Sequence, residues 1–302
     1  MTSGEREVQP VSAVTTAEPR ADKEQLKQII MNTRDLPAMP HVASKVLELS
    51  SDPNSSAQQL QQVIADDQAM AARILKIANS AMYACSRKIK TLTEAIVMLG
   101  FNSIRSLVIT SASRNLYLSS GKRMGLKERL LWEHSIGVAF GCRLLVQDRY
   151  PQLAEEAFLA GLMHDIGKLV LNHQAAEQFD EIVQIVYNEN RMFVETEQEL
   201  LGFDHTQVGA LLVNKWKLSP LMEASIAHHH DPANFMPDNP LLLYLDLANN
   251  LCKRQGIGFV ENAALDLQSC RSNQILQIPS EVLDSIAEKL QHTLENEMEI
   301  FV

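Results

Sequence analysis

The most regular feature of the chain is the spacing of its apolar residues, which recur every three to four positions with polar residues between them. This spacing is typical of amphipathic helices, and the apolar-polar alternation that indicates a strand is almost absent. The first helix is predicted after Asp22, where Leu26, Ile29 and Ile30 form an apolar stripe that ends before Pro37. The pattern therefore predicts an all-α protein.

The same pattern predicts the later helices. Before residue 120 it indicates five more short helices, one of them opened by Ser56 with Gln59 as an N-terminal cap and one ended by Gly100. Longer periodic runs follow, separated by glycine, proline and asparagine. They cover 128–147, 152–171, 174–190, 205–216, 219–230, 239–253 and 279–300.

The organisation of the chain follows from where this periodicity starts and pauses. Residues 1–20 are polar and aperiodic, which predicts a disordered tail. We expect one helical half over 21–120, a second over 121–235, and C-terminal helices over 236–302 that pack on the second half. The basic stretch 121–129 (GKRMGLKER) lies at the seam, and a solvated loop and helix start is favoured there over a phosphate-binding patch.

Composition and charge narrow the class of protein. The chain has 302 residues, of which 46% are hydrophobic and 21% charged, as in soluble globular proteins. Its net charge of −10 opposes binding to nucleic acid. No apolar run approaches the roughly 20 residues that cross a bilayer, and Glu5 and Glu7 stand where a signal peptide would be basic. We expect a cytoplasmic protein that binds neither nucleic acid nor membrane.

A His-Asp dipeptide provides the first chemical signal. His164 and Asp165 lie in the apolar run GLMHDIGKLV, where burying two polar side chains needs compensation. A hydrogen-bonded core pair is the simpler interpretation of the dipeptide alone. Imidazole and carboxylate are also ligands for divalent metal ions, so a metal site is the alternative.

Other polar residues interrupt apolar helices in the same way, and together they favour the metal site. They are His134, His205, His229, His230 and Asp246. With His164 and Asp165 they make five nitrogen and two carboxylate ligands, which suits two ions bridged by Asp165. Iron, manganese, zinc or cobalt are all chemically admissible. Lys168, one turn after His164, is predicted to contact a phosphate, with a surface lysine at a helix end as the alternative.

Five segments of the chain carry a family resemblance: LPAMPHVASKVLEL, ARILKIANSAMY, TLTEAIVMLGFNSIRSLVI, HDIGK and HHHDP. With them, residues 35–232 resemble an HDOD domain, a branch of the HD phosphohydrolase superfamily found in bacterial signalling proteins. It implies an N-terminal helical bundle packed on an HD-type helical bundle over 121–235. It also implies a regulatory role, which in this family is often exercised without catalysis.

The chain is also similar to the HD-GYP phosphodiesterases, which hydrolyse cyclic di-GMP. Their ligand pattern maps onto the seven residues above, with Lys168 after the dipeptide and Gly209 after His205. This similarity implies two bound divalent ions, iron or manganese being favoured, with Asp165 and Lys168 as the catalytic residues of any reaction. The GYP signature itself is missing, because DPANFMPDNP follows His230.

Three functions follow as expectations. The leading one is a signalling or regulatory protein with a dinuclear metal site, which binds a phosphorylated small molecule and acts through an unidentified protein partner. The second is a metal-dependent phosphohydrolase acting on a nucleotide, cyclic nucleotide or other phosphoester. The third is a protein-interaction scaffold in which the polar residues are vestigial.

Overall fold

The computed structural model of the chain describes residues 23–32, 34, 36–83, 85–118, 124–231, 234 and 239–301. Within these residues all regular secondary structure is helical, which confirms the predicted fold class. The predicted tail, 1–20, lies outside them. The α-helices are α1 (Lys23–Met31), α2 (His41–Ser51), α3 (Ala57–Ala65), α4 (Gln68–Ala78), α5 (Leu92–Arg114), α6 (Leu126–Val146), α7 (Ala154–Met163), α8 (Ile166–Gln174), α9 (Ala176–Glu189), α10 (Phe193–Leu201), α11 (His205–Lys215), α12 (Pro220–His228), α13 (Pro240–Arg254), α14 (Arg271–Leu276) and α15 (Ser280–Phe301).

Polar caps fix the starts of several helices. At α3, Ser56 Oγ accepts from the backbone N–H of Gln59 at 3.2 Å, and the Gln59 side chain accepts from the Ser56 N–H at 2.8 Å, as predicted. At α11, Asp204 accepts from the backbone N–H of Thr206 at 2.9 Å. The second cap makes His205 the first residue of its helix.

The predicted run 152–171 is wrong as a single helix. It consists of α7 and α8, and Asp165 between them has φ −99° and ψ 11°, which are not helical angles. The residues of both helices are buried on nearly all sides, so no polar face reveals the change of direction. The periodic runs also omit α10 and α14, which are short and carry mostly polar residues.

The longest apolar helix is interrupted where the sequence predicts it. Gly100 in α5 has φ 79° and ψ 168°, a conformation that favours glycine and separates the two predicted helices. The stretch Leu92–Tyr117 is long and apolar enough to cross a membrane, but 61% of the apolar window is buried within the protein. It packs against α2, α3, α4 and α7, as a core helix does.

One hydrophobic core extends from Ile30 to Phe301. Helix α6 lies at its centre and packs against α7, α13 and α15. The terminal helix α15 also contacts α4, where Lys76 Nζ donates a hydrogen bond to the carbonyl of Glu299 at 2.8 Å. The C-terminal helix therefore touches both halves, whose boundaries at 120 and 235 stay predictions.

Glycine allows two helix pairs to approach closely around the His-Asp dipeptide. A Cβ added at Gly161 of α7 would lie 2.7 Å from the backbone of Ala139 in α6. A Cβ added at Gly167 of α8 would overlap the carbonyl oxygen of His205 and lie 2.9 Å from the nitrogen of Gly209 in α11. The second contact sets the distance between Asp165 and His205.

We expect Gly167→Ala to destabilise the protein by about 3 kcal/mol, because the methyl group must force apart two backbones and not a flexible side chain. Urea denaturation of the purified protein measures this change.

Gly209→Ala is the matched control on the other side of the same interface. Its Cβ would meet a methyl group of Ile226 at 3.1 Å, which can shift. We expect a loss of less than about 1 kcal/mol. Equal losses for the two variants would contradict the close backbone approach.

Candidate metal centre

The junction between α7 and α8 places one buried carboxylate at the meeting point of several helices. Asp165 is 3% exposed and His164 is fully buried. Oδ2 of Asp165 lies 3.3 Å from Nε2 of His164 and 3.8 Å from Nε2 of His134. Oδ1 lies 3.2 Å from Nε2 of His205 and 3.7 Å from Nε2 of His229. The two oxygens therefore face two different pairs of imidazoles.

The other ring nitrogen, Nδ1, of each of these histidines is held by an oxygen acceptor. The acceptors are the carbonyl of Ile257 for His134 (2.8 Å), that of Gly161 for His164 (2.7 Å), that of Ile226 for His229 (2.7 Å), and Oε2 of Glu197 for His205 (2.6 Å). Carbonyls and carboxylates only accept, so Nδ1 carries the proton. In each neutral ring, Nε2 presents a lone pair to Asp165.

Buried atoms without partners converge at this point. Among the residues that the structure describes, Nε2 of His164, His205, His229 and His230 and Oδ1 of Asp165 make no hydrogen bond. Lone pairs and a carboxylate that face one another in a dry interior are unfavourable unless a cation lies between them. The arrangement fits the predicted divalent ions, because metal-binding histidines use one nitrogen for the ion and the other for an oriented acceptor.

The donor atoms form two groups that share Asp165. Within each group the atoms lie within 4.8 Å of one another. One group contains His205, His229 and His230 with Asp165, and the other contains His134 and His164 with Asp165. Six of the seven predicted ligands are thus brought together.

Electrostatics hold His134, His229 and Asp165 in their ligand forms. Burial lowers the pKa of His134 and of His229 to about 3, so both rings are neutral at physiological pH. Burial alone would raise the pKa of Asp165, but its contacts with His164 and Lys168 outweigh burial and hold that pKa well below its usual range. Burial opposes the charged form of His205 as well, yet Glu197 raises its pKa and makes the ring more basic.

Asp246, the seventh predicted ligand, is not part of either group. Its Oδ2 accepts a hydrogen bond from Ser272 at 2.6 Å, and its Oδ1 accepts one from Asn250 at 3.1 Å. Burial raises the pKa of this carboxyl. The apolar residues around Asp246 in the sequence indicated that its side chain is buried. They did not indicate which side of α13 faces the histidines.

Lys168 is 7% exposed, which excludes the surface-lysine alternative. Its Nζ donates to Oδ2 of Asp165 at 2.8 Å and lies 4.3 Å from the ring centroid of Phe193. The ammonium therefore lies beside the imidazole cluster, where it can meet an anion that approaches Asp165.

Two residues of the site were not among the predicted ones. Glu197 in α10 is fully buried and also accepts from the backbone N–H of His205 at 2.9 Å. Asn249 in α13 is 2% exposed, and its Oδ1 has no hydrogen-bond partner within the described part of the chain. Asn249 lies about one helical turn after Asp246, so the polar spacing in this apolar helix was its available signal. Glu197 had no such signal, because nothing in the sequence distinguishes it from a surface glutamate.

A cavity of about 380 Å³ adjoins the cluster. His134, Asp165, His230 and Asn249 line one part of it. Charged side chains line another part: the cations Lys168, Arg191 and Lys253, and Glu261, which with Asp165 makes two carboxylates. An apolar wall completes the cavity and consists of Leu131, Met192, Phe193, Val194, Phe259, Val260 and Leu265.

Comparison with known proteins identifies the family of this chain. The HDOD domain family model matches residues 36–232, which agrees with the resemblance over 35–232. A solved HDOD domain protein with unknown function from Geobacter sulfurreducens is 24% identical with a TM-score of 0.72, covering 91% of this chain and 97% of that one. A Shewanella amazonensis SB2B structure named "Putative phosphohydrolase" is 26% identical with a TM-score of 0.71, covering 91% and 96%.

An uncharacterized protein of Treponema pallidum (strain Nichols) is 23% identical over 221 residues, which cover 71% of this chain. The match spans only 42% of that protein. Since the family match covers well over half of this chain and the solved relatives share its fold, the chain belongs to the HDOD domain family.

Proposed function

We propose that this HDOD protein binds two divalent metal ions at the Asp165 cluster and uses the site to recognise a phosphorylated ligand in a regulatory role. The observation that carries the proposal is the bridge: each oxygen of one buried carboxylate faces its own pair of Nε2 lone pairs. A shared carboxylate of this kind suits two neighbouring ions.

The donor set limits the metal. Both groups consist of imidazole nitrogens and one carboxylate, and neither contains a thiolate. Nitrogen and oxygen donors suit iron, manganese, zinc or cobalt, and we favour iron or manganese. When bound, two such ions lower the pKa of a bound water and neutralise charge on a phosphoryl group.

The adjoining cavity supports an anionic ligand. Three cationic side chains and two carboxylates line it, so its wall is net positive before any metal ion is counted. This contrasts with the net charge of −10 on the whole chain. A phosphorylated small molecule matches that local field. We propose that its binding is communicated to a protein partner in a signalling pathway.

Hydrolysis of a phosphoester is the second candidate. It is favoured by one specific observation, which is that Asp165 and Lys168 line the same cavity, within reach of one bound group. The similar Shewanella amazonensis protein is named as a phosphohydrolase, which supports the same class for this chain.

We expect untagged protein to contain two metal ions per chain by elemental analysis. Asp165→Ala should lose both, because it removes the shared ligand, whereas His134→Ala should lose only the ion of the smaller group. His173→Ala is the control, because this exposed histidine bonds the carbonyl of Leu116 and lies in neither group. Wild-type protein that stays metal-free after loading with Fe²⁺ or Mn²⁺ would rule the centre out.

Glu197→Gln should weaken metal affinity by about 10- to 100-fold, since the amide cannot accept from His205 as strongly as the carboxylate. Competition with a chelator measures the change. Glu195→Gln, an exposed position on the same helix, should have no effect. Equal affinities in the two variants would show that Glu197 does not orient the ligand.

A phosphoester panel separates the two candidates. For the regulatory function we expect metal-replete protein to bind phosphate without turnover. Sustained turnover with Fe²⁺ or Mn²⁺ that disappears in Asp165→Ala would instead establish the phosphohydrolase. Product release, measured as inorganic phosphate or as nucleotide by chromatography, gives the answer.

A further inference from the structure

We propose that Lys253 is the contact that selects a dianionic phosphate group, so that the ligand class of the cavity is a phosphate monoester and not a diester. This inference rests on the proposed function. It concerns a residue of α13, outside both metal-ligand groups and after the segment that matches the family.

Lys253 differs from the other cations around the cavity. Lys168 pairs with Asp165, and Arg191 pairs with Glu199 at 2.6 Å. Among the residues that the structure describes, Lys253 Nζ has no carboxylate within 4.0 Å and donates no hydrogen bond to a side chain or carbonyl. It therefore presents an uncompensated ammonium to the cavity.

The neighbouring charges do not supply the missing partner. Burial and the ammonium of Lys168 lower the pKa of Lys253, while Asp165 and Asp246 attract it only from beyond ion-pair distance. Asp165 bonds Lys168, and both oxygens of Asp246 are used by Ser272 and Asn250. A partly buried charge in this state is stabilised by an anion that enters from the cavity.

The number of cationic positions indicates the class of anion. A phosphate monoester carries between about 1.5 and 2 negative charges at neutral pH and has three terminal oxygens. Its extra charge and third terminal oxygen match a second cationic contact, and Lys253 lines the same cavity as Asp165. A phosphodiester has one charge and two terminal oxygens, so a diester bound at the Asp165 cluster leaves the charge of Lys253 less neutralised. The apolar wall, which includes Met192 and Phe259, would take the organic part of the ligand.

The test uses inorganic phosphate as the monoester probe and dimethyl phosphate as the diester probe. Both are titrated by calorimetry into metal-loaded, full-length protein from which free metal has been removed. We expect the wild type to bind phosphate at least about tenfold more tightly than dimethyl phosphate. Lys253→Met should lose about tenfold or more of the phosphate affinity, as expected for a hydrogen bond to a charged group.

Arg254→Met is the matched control, because it removes the same charge from the next residue of α13. Arg254 pairs with Asp284 at 3.1 Å and does not line the cavity. It should leave phosphate affinity unchanged. Lys253→Arg keeps the charge and should keep most of the affinity. Lys253→Gln removes the charge but keeps a polar side chain, and it replaces the methionine variant if that variant does not fold.

The outcomes separate this inference from the proposed function. Metal content is measured on every sample, and wild-type protein without metal would contradict the proposed function. A metal-replete wild type that binds the two probes equally, or a charge-removing variant, Lys253→Met or Lys253→Gln, that binds phosphate like wild type, would overturn the role of Lys253 alone.

Discussion

The structure depends on the burial of one carboxylate among imidazoles. Asp165 lies at a helix junction, and the rings around it come from α6, from the start of α11 and from the residues that directly follow α7 and α12. A buried ionised group of this kind is unfavourable without compensation, and no single helix can provide it. The polar centre is therefore complete only when the apolar faces of all these helices have packed.

Close helix contacts are what make this convergence possible. Gly161 and Gly167 flank the dipeptide and let α7 and α8 touch the backbones of α6 and α11. Gly258 serves the same purpose at His134, because a Cβ there would lie 2.7 Å from the Cβ of that histidine. Its φ of 105° is also a value that side chains rarely adopt. These glycines bring the helices so close together that imidazole nitrogens from different segments lie 3.2 to 3.8 Å from the oxygens of Asp165.

The sequence predicted the helices and most of the site because both depend on local pattern. A histidine in an apolar stripe reveals its burial directly, as at His134. The direction of a side chain around a fully buried helix has no such signal, which explains the outcome for Asp246 and the missed break at Asp165. Glu197 and Asn249 escaped for another reason. Their burial depends on how other helices pack around them, and a glutamate or asparagine in a helix usually faces solvent.

The imidazole cluster lies within one part of the chain, whereas the cavity beside it also uses residues that follow that part. All the residues of the two groups lie within 36–232, the segment shared with the family, whereas Asn249, Lys253 and Phe259 follow it. The two parts meet at Ile257, whose carbonyl fixes the ring of His134 and which lies two residues before Phe259. Phe259 of the apolar wall therefore belongs to the same loop as the carbonyl that orients His134. Any movement of this loop would displace the acceptor of that ring, so the shape of the cavity wall and the orientation of one imidazole depend on the same segment.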